Sequence, residues 1–143
     1  MIKVIGHSQE EIEYSVVYNR SARVLDIESS CMNDDCIPYR ESTGCMAWLS
    51  RHNILCEIEC IFPIESEEIN DWIGRDVKTL AATPVLKVSF EQKPVEVYID
   101  GTQLILILNK NKKADRRYIS SSIAFYVSGD ELAAIACTDF QVS

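Results

Sequence analysis

The chain has 143 residues, a length that fits a single domain over residues 1–143, with a core large enough to fold without metals or disulfides. Its formal net charge is −8, and the excess lies in the first half: residues 1–70 carry thirteen acidic and five basic side chains, whereas residues 71–143 carry nine of each. An acidic chain repels phosphate, which argues against nucleic-acid binding and favours a basic partner. The plainer role of net negative charge is to keep a protein soluble.

The amino-terminal residues MIKVIGHSQEE contain no long apolar segment of the kind found in a signal peptide. The longest aliphatic run, Leu104 to Leu108, is far shorter than the roughly eighteen residues that a membrane span requires. These features predict a cytoplasmic protein with no membrane partner. Without a signal sequence, the six cysteines are expected to be reduced thiols and not a disulfide framework.

Residues 10–28 form the first predicted element, because EIEYSVVYN and RVLDIE alternate with period two around a turn at residues 19–22. This pattern predicts a β-hairpin. Residues 29–44 follow as the longest predicted loop, which contains two cysteines and the adjacent pair Asp34 and Asp35. That carboxylate pair lacks the spaced oxygen ligands of a calcium loop.

Residues 54–62, ILCEIECIF, alternate again and predict a strand that ends at Pro63. Its two predicted faces differ in character. One carries Glu57 and Glu59, and the other carries Cys56, Ile58, Cys60 and Phe62.

Residues 66–80, SEEINDWIGRDVKTL, break the period-two pattern. Their apolar side chains fall at helical spacing, with Trp72 at the centre of the stripe. Ser66 is a suitable N-cap, and the acids that follow it suit the amino-terminal end of a helix dipole. This segment predicts one amphipathic helix.

The carboxy-terminal part contains an internal repeat, VYIDGTQLILI at 97–107 and FYVSGDELAAI at 125–135. Asp100-Gly101 and Ser128-Gly129 are turn signals between strand-like sequences, so each copy predicts a tight hairpin. Taken together, the elements predict an α+β fold: a mainly antiparallel sheet of seven to nine strands, built from repeated hairpins, with the one amphipathic helix packed on it.

The cysteines do not predict a metal site. If residues 54–62 are a strand, Cys56 and Cys60 lie roughly 13 Å apart along it, too far to share one zinc ion. Cys31 and Cys36 could meet within their loop, although their spacing is loose for a zinc knuckle. We therefore predict no metal and no cofactor, and a metal-binding structural domain remains an alternative.

No catalytic signature is present: the sequence lacks G-x-S-x-G, a P-loop, G-x-G-x-x-G and H-E-x-x-H. His52 lies in a predicted turn, and a thiol-dependent or hydrolytic enzyme that pairs it with Cys45 or Cys56 is a second alternative. The basic run at 110–117 has no interleaved aromatic residues and is interpreted as a charged loop, not a nucleic-acid site.

The strongest remaining feature of the sequence is a cluster of acidic residues. Six carboxylates fall within fifteen residues, at the predicted strand and the corner after it: Glu57, Glu59, Glu65, Glu67, Glu68 and Asp71. We interpret them as a partner-binding patch. The predicted function is a small protein-binding module, in its most concrete form an immunity or antitoxin protein that neutralises a basic nuclease-type toxin by surface complementarity.

Overall fold

The computed structural model describes residues 1–68 and 76–143, which form fifteen β-strands in two sheets. In chain order the strands are β1 (Ile2–Ser8), β2 (Tyr14–Asn19), β3 (Val24–Ser29), β4 (Ile37–Ser42), β5 (Cys45–Leu49), β6 (Leu55–Ile61), β7 (Ile64–Ser66), β8 (Lys78–Ala81), β9 (Thr83–Val88), β10 (Glu96–Ile99), β11 (Leu104–Ile107), β12 (Arg116–Ser120), β13 (Ile123–Ser128), β14 (Glu131–Cys137) and β15 (Gln141–Val142).

The six-stranded sheet has the order β15-β2-β3-β6-β5-β4. All its neighbours are antiparallel except β15, which runs parallel to β2. Its central strands are buried on one face: Leu25 and Ile27 of β3 are fully buried, as is Ile58 of β6 opposite Ile27. The residues between them face the other way, as the alternation of a pleated strand requires.

The nine-stranded sheet follows the path β7-β10-β11-β14-β13-β12-β8. Strand β1 pairs with β14 near Glu131 and with β9 along most of its length. The outer strands β7 and β8 are parallel to β10 and β12, and the other pairs are antiparallel. All seven residues of β14 are buried, because neighbouring strands and side chains cover it on both faces.

One hydrophobic cluster joins the two sheets. It includes Tyr14 and Ile58 from the six-stranded sheet and Phe125 and Ile135 from the nine-stranded sheet. The rings of Tyr14 and Phe125 meet edge to face across the interface, with their centroids 6.0 Å apart. The protein is thus a two-layer arrangement of sheets around a shared core.

The predicted α+β class is wrong, because the described residues are all β and contain no helix. The predicted single sheet of seven to nine strands is also wrong, since the described residues form fifteen strands in two sheets. Where the helix was expected, Ser66 ends β7 and residues 78–81 form β8. Pairing with β12 holds this second strand, with Leu80 opposite Tyr118, so tertiary pairing overrides the helical spacing. Trp72 and the rest of residues 69–75 lie outside the described part of the chain. The described residues contain no helix that could cross a membrane.

The hairpin predictions are confirmed, whereas the long loop is not. Strands β2 and β3 form the first hairpin, and each copy of the repeat forms another. The turns differ from the prediction: residues 100–103 make a four-residue loop, and Gly129-Asp130 make the two-residue one, with Gly129 at φ +62°. Residues 37–42 of the expected loop pair with β5, and a bulge after Arg40 interrupts the alternation that would have revealed them.

Candidate functional site: an acidic sheet face

Four carboxylates lie together on the outer face of the six-stranded sheet. Asp26 and Glu28 alternate with the buried residues of β3, and Glu57 and Glu59 alternate with those of β6. The antiparallel register sets Asp26 directly opposite Glu59, and Glu28 directly opposite Glu57. We call these four residues the acid face. Like charges in directly opposed positions destabilise a sheet, so this arrangement opposes folding.

Three of these carboxylates lie close together. Oxygen atoms of Asp26, Glu28 and Glu57 all lie within 4.8 Å of one another. Partial burial raises the pKa of Glu57 to about 8, and a hydrogen bond with Asp26 and the charges of Asp26, Glu28 and Glu59 add to the rise. Asp26 Oδ1 is buried and accepts no hydrogen bond from any N–H or hydroxyl group of the described residues. The protonated Glu57 carboxyl is the donor that can satisfy it.

Among the described residues, this cluster is also the one group of three side chains whose ligand atoms lie close enough to hold a metal ion. Carboxylate oxygens are the ligands that Ca²⁺ prefers, but that ion takes roughly six to eight of them. Three carboxylates can supply at most six oxygen atoms, so carbonyl groups or water would have to complete the shell of such an ion.

Apolar side chains flank the acid face on β5. Trp48 lies opposite Glu57, and Met46 lies opposite Glu59, both partly buried. On the other flank, Val17 lies opposite Asp26 and is 37% exposed. Aromatic residues and Met are enriched at the centres of protein interfaces, whereas Asp and Glu are more common at the rim.

The six residues proposed from the sequence are divided by the fold. Glu57 and Glu59 belong to the acid face, on the side of β6 that the alternation predicted. Glu65 lies on β7 of the other sheet, where its carboxylate accepts a 2.8 Å hydrogen bond from Arg20. Glu67 and Glu68 follow that strand and are exposed.

Asp71, the sixth predicted residue, lies outside the described residues. The sequence interpretation had also missed Asp26 and Glu28. Their signal was present in RVLDIE, where acids alternate with Leu25 and Ile27. That strand was assigned, but its register against residues 57–59 was not, and the register is what brings the four carboxylates together.

The thiol and histidine alternative gains no support from the geometry. Cys45 Sγ contacts Cys60 Sγ at 3.1 Å, and Cys56 Sγ donates to the Ile54 carbonyl at 3.6 Å. Burial, followed by a hydrogen bond with the Cys36 thiol, raises the pKa of Cys56 to about 12 and keeps it protonated. The contacts recorded for both thiols are thus with groups other than the His52 ring.

His52 itself is exposed and lines an open cleft of about 580 Å³. Cys31 and Asp35 share that lining, but Cys45 and Cys56 do not.

Phe62 also departs from its prediction, which placed it on the same strand face as Cys56 and Cys60. Its φ of 56° turns it out of the strand, and it is 62% exposed with Arg23 over its ring.

No protein-family model matches the sequence, and no curated protein matches it with significant similarity.

Proposed function

We propose that this protein is a cytoplasmic binding module that docks a cationic protein surface on its acid face, with immunity against a basic nuclease-type toxin as the concrete role. The observation that carries the proposal is the pair of directly opposed carboxylates, Asp26 with Glu59 and Glu28 with Glu57. Repulsion among the ionised carboxylates of this face costs folding free energy, and their charges are among the causes that raise the pKa of Glu57. A cationic partner would relieve that cost when it binds.

A protein is favoured as the partner over a small cation because apolar groups flank the charge. Trp48 and Met46 lie next to the carboxylates on the neighbouring strand. Buried aromatic anchors commonly supply most of the binding energy of an interface, while complementary charge sets the association rate and the choice of partner. Nuclease toxins present basic substrate-binding clefts, which is the complementary surface that this face requires.

The test compares two variants that each replace four carboxyl groups by amides. The acid-face variant carries Asp26→Asn, Glu28→Gln, Glu57→Gln and Glu59→Gln. The matched control carries Glu10→Gln, Asp34→Asn, Asp76→Asn and Asp139→Asn, four exposed carboxylates elsewhere. Each immobilised protein is used to capture partners from a lysate of the source cells at low salt. A protein retained by the unaltered chain and the control, but not by the acid-face variant, is then purified.

With the purified pair, association should slow by about tenfold or more in the acid-face variant, and it should slow as ionic strength rises. Trp48→Ala should chiefly raise the dissociation rate, because an anchor residue acts after encounter. In the immunity role, the protein should abolish the partner's nuclease activity at equimolar concentration. If the control loses binding while the acid-face variant keeps it, or if no basic protein distinguishes the two, the proposal is wrong.

A further inference from the structure

Two buried thiols meet in the six-stranded sheet, on the face opposite the acid face. Cys45 of β5 and Cys60 of β6 are directly paired, and their Sγ atoms lie 3.1 Å apart. The residues are 2% and 1% exposed. Both are free thiols in this structure.

The register gives this pair the geometry of a cross-strand disulfide. The Ile61 N–H donates to the Gly44 carbonyl at 2.7 Å, which makes residues 44 and 61 the hydrogen-bonded pair. Cys45 and Cys60 are therefore the adjacent non-hydrogen-bonded pair, in which Cα atoms approach to roughly 4.5 Å. Disulfides span Cα separations of roughly 4.4 to 6.8 Å, so no large backbone movement is needed.

The strands are also held close at this point. A Cβ atom built on Gly44 would lie 2.6 Å from the Ile61 carbonyl oxygen, a distance that no side chain accepts. Glycine thus lets β5 and β6 approach immediately beside the two thiols.

We propose that Cys45 and Cys60 are a redox modification site, which closes to a disulfide in reaction with a low-molecular-weight disulfide such as glutathione disulfide. The Cys60 thiolate attacks one sulfur of glutathione disulfide and releases one glutathione thiolate. The Cys45 sulfur, on losing its proton, then displaces the second glutathione from the mixed disulfide. Two protein thiols are oxidised, one glutathione disulfide is reduced, and two glutathione molecules leave with the two protons.

Cys60 is the attacking residue because it has a route to solvent. It lines a small groove of about 150 Å³ together with Gly44, Phe62 and Lys93. A hydrogen bond with Cys45, together with burial, raises the pKa of Cys60 well above its usual range, as does the charge of Glu41. The Lys93 ammonium acts in the opposite direction and favours the thiolate. The reaction should therefore be slow near pH 7 and faster as pH rises.

The experiment incubates the native chain with excess glutathione disulfide at pH 8, quenches it with an alkylating agent under denaturing conditions and maps the peptides by mass. We expect the six thiols to fall to four, with the crosslink between residues 45 and 60 and no glutathione left on either. The oxidised protein should melt at a higher temperature, and dithiothreitol should reverse the shift. Cys45 and Cys60 remaining alkylatable at the end of the reaction would overturn the proposal.

Single replacements identify the pair. Cys60→Ala and Cys45→Ala should each abolish the crosslink and the thermal shift. Cys137→Ala, a matched replacement of another fully buried cysteine, should leave both intact.

A second experiment refolds the unaltered chain from denaturant in a glutathione redox buffer and maps its disulfides. Its result does not depend on whether glutathione disulfide can enter the folded core, or on whether the variants fold. The same crosslink should dominate there. A dominant disulfide among Cys31, Cys36 and Cys56 would show that the pairing is elsewhere.

Discussion

The two sheets share one core but differ on the faces that point away from it. The nine-stranded sheet is apolar on both sides: behind β14 and β11 lies a second buried cluster that includes Ile105, Tyr126 and Ala134, and Val77 packs against it. The six-stranded sheet is fully buried on its inner side, and its outer side carries the acid face with partly exposed apolar side chains beside it. In one sheet both faces therefore support the fold, and in the other a face is occupied by groups that oppose it.

This difference indicates where the protein has surface to use. A face covered by its own chain cannot receive a partner, and the alanines of β14 suit close cover because their short side chains let covering groups approach the strand. The acid face is more open: Glu28 is exposed, and Asp26, Glu57 and Glu59 are half-buried. The clustered carboxylates therefore lie on the more accessible outer face of the two sheets.

The largest expected effect is a difference between the two outer faces in how much a buried side chain contributes to the free energy of unfolding. Ile105→Ala, in the second cluster of the nine-stranded sheet, should cost about 2 to 5 kcal/mol, because it removes a fully buried side chain and leaves a cavity. Met46→Ala, on the outer face of the six-stranded sheet, should cost less than about 1.5 kcal/mol, because that side chain is partly exposed. Urea unfolding of both variants measures the difference. Equal costs would mean that the two faces are equally covered.

The second effect is a pH dependence that belongs to the acid face. Glu57 has an ordinary pKa of 4.5, which the folded protein raises to about 8, so the folded state holds this proton more tightly than the unfolded state does. The stability that this preference contributes is fully present below pH 4.5 and is lost as pH rises toward 8. After solvent screening of a partly exposed group, the loss should be on the order of 1 kcal/mol.

Glu57→Gln mimics the protonated form and should flatten the stability profile between pH 5 and 8 while raising stability at the upper end. Denaturant unfolding at several pH values measures it. Glu10→Gln, at an exposed carboxylate outside the acid face, should keep the slope of the unaltered protein. A slope that survives Glu57→Gln would assign the proton to another group.

The fold and the acid face differ in how far the sequence could predict them. Period-two alternation revealed β2, β3 and β6, because each of these strands is buried on one side, and the turn signals of the internal repeat revealed the carboxy-terminal hairpins. It could not reveal β4, where a bulge breaks the period, or β8, which depends on pairing with β12. For the same reason, Glu57 and Glu59 were found as strand residues, but Asp26 and Glu28 were not joined to them. Cross-strand register is a non-local property that alternation within a strand does not encode.

The smallest effect tests whether the acid face is under electrostatic strain at its margin. Ser15 of β2 is exposed and lies directly opposite Glu28, so a side chain placed there faces the acid row. Ser15→Lys should stabilise the fold by about 0.2 to 1 kcal/mol, because it sets an opposite charge against a carboxylate in a directly paired position. Ser15→Glu should destabilise it by a similar amount, and Ser15→Gln separates the effect of side-chain length from that of charge. Raising the salt concentration should shrink the gap between the Lys and Glu variants, since the pair is exposed and screened. A gap that is absent at low salt would mean that the carboxylates of this face do not repel one another, and would remove the physical ground on which a cationic partner was proposed.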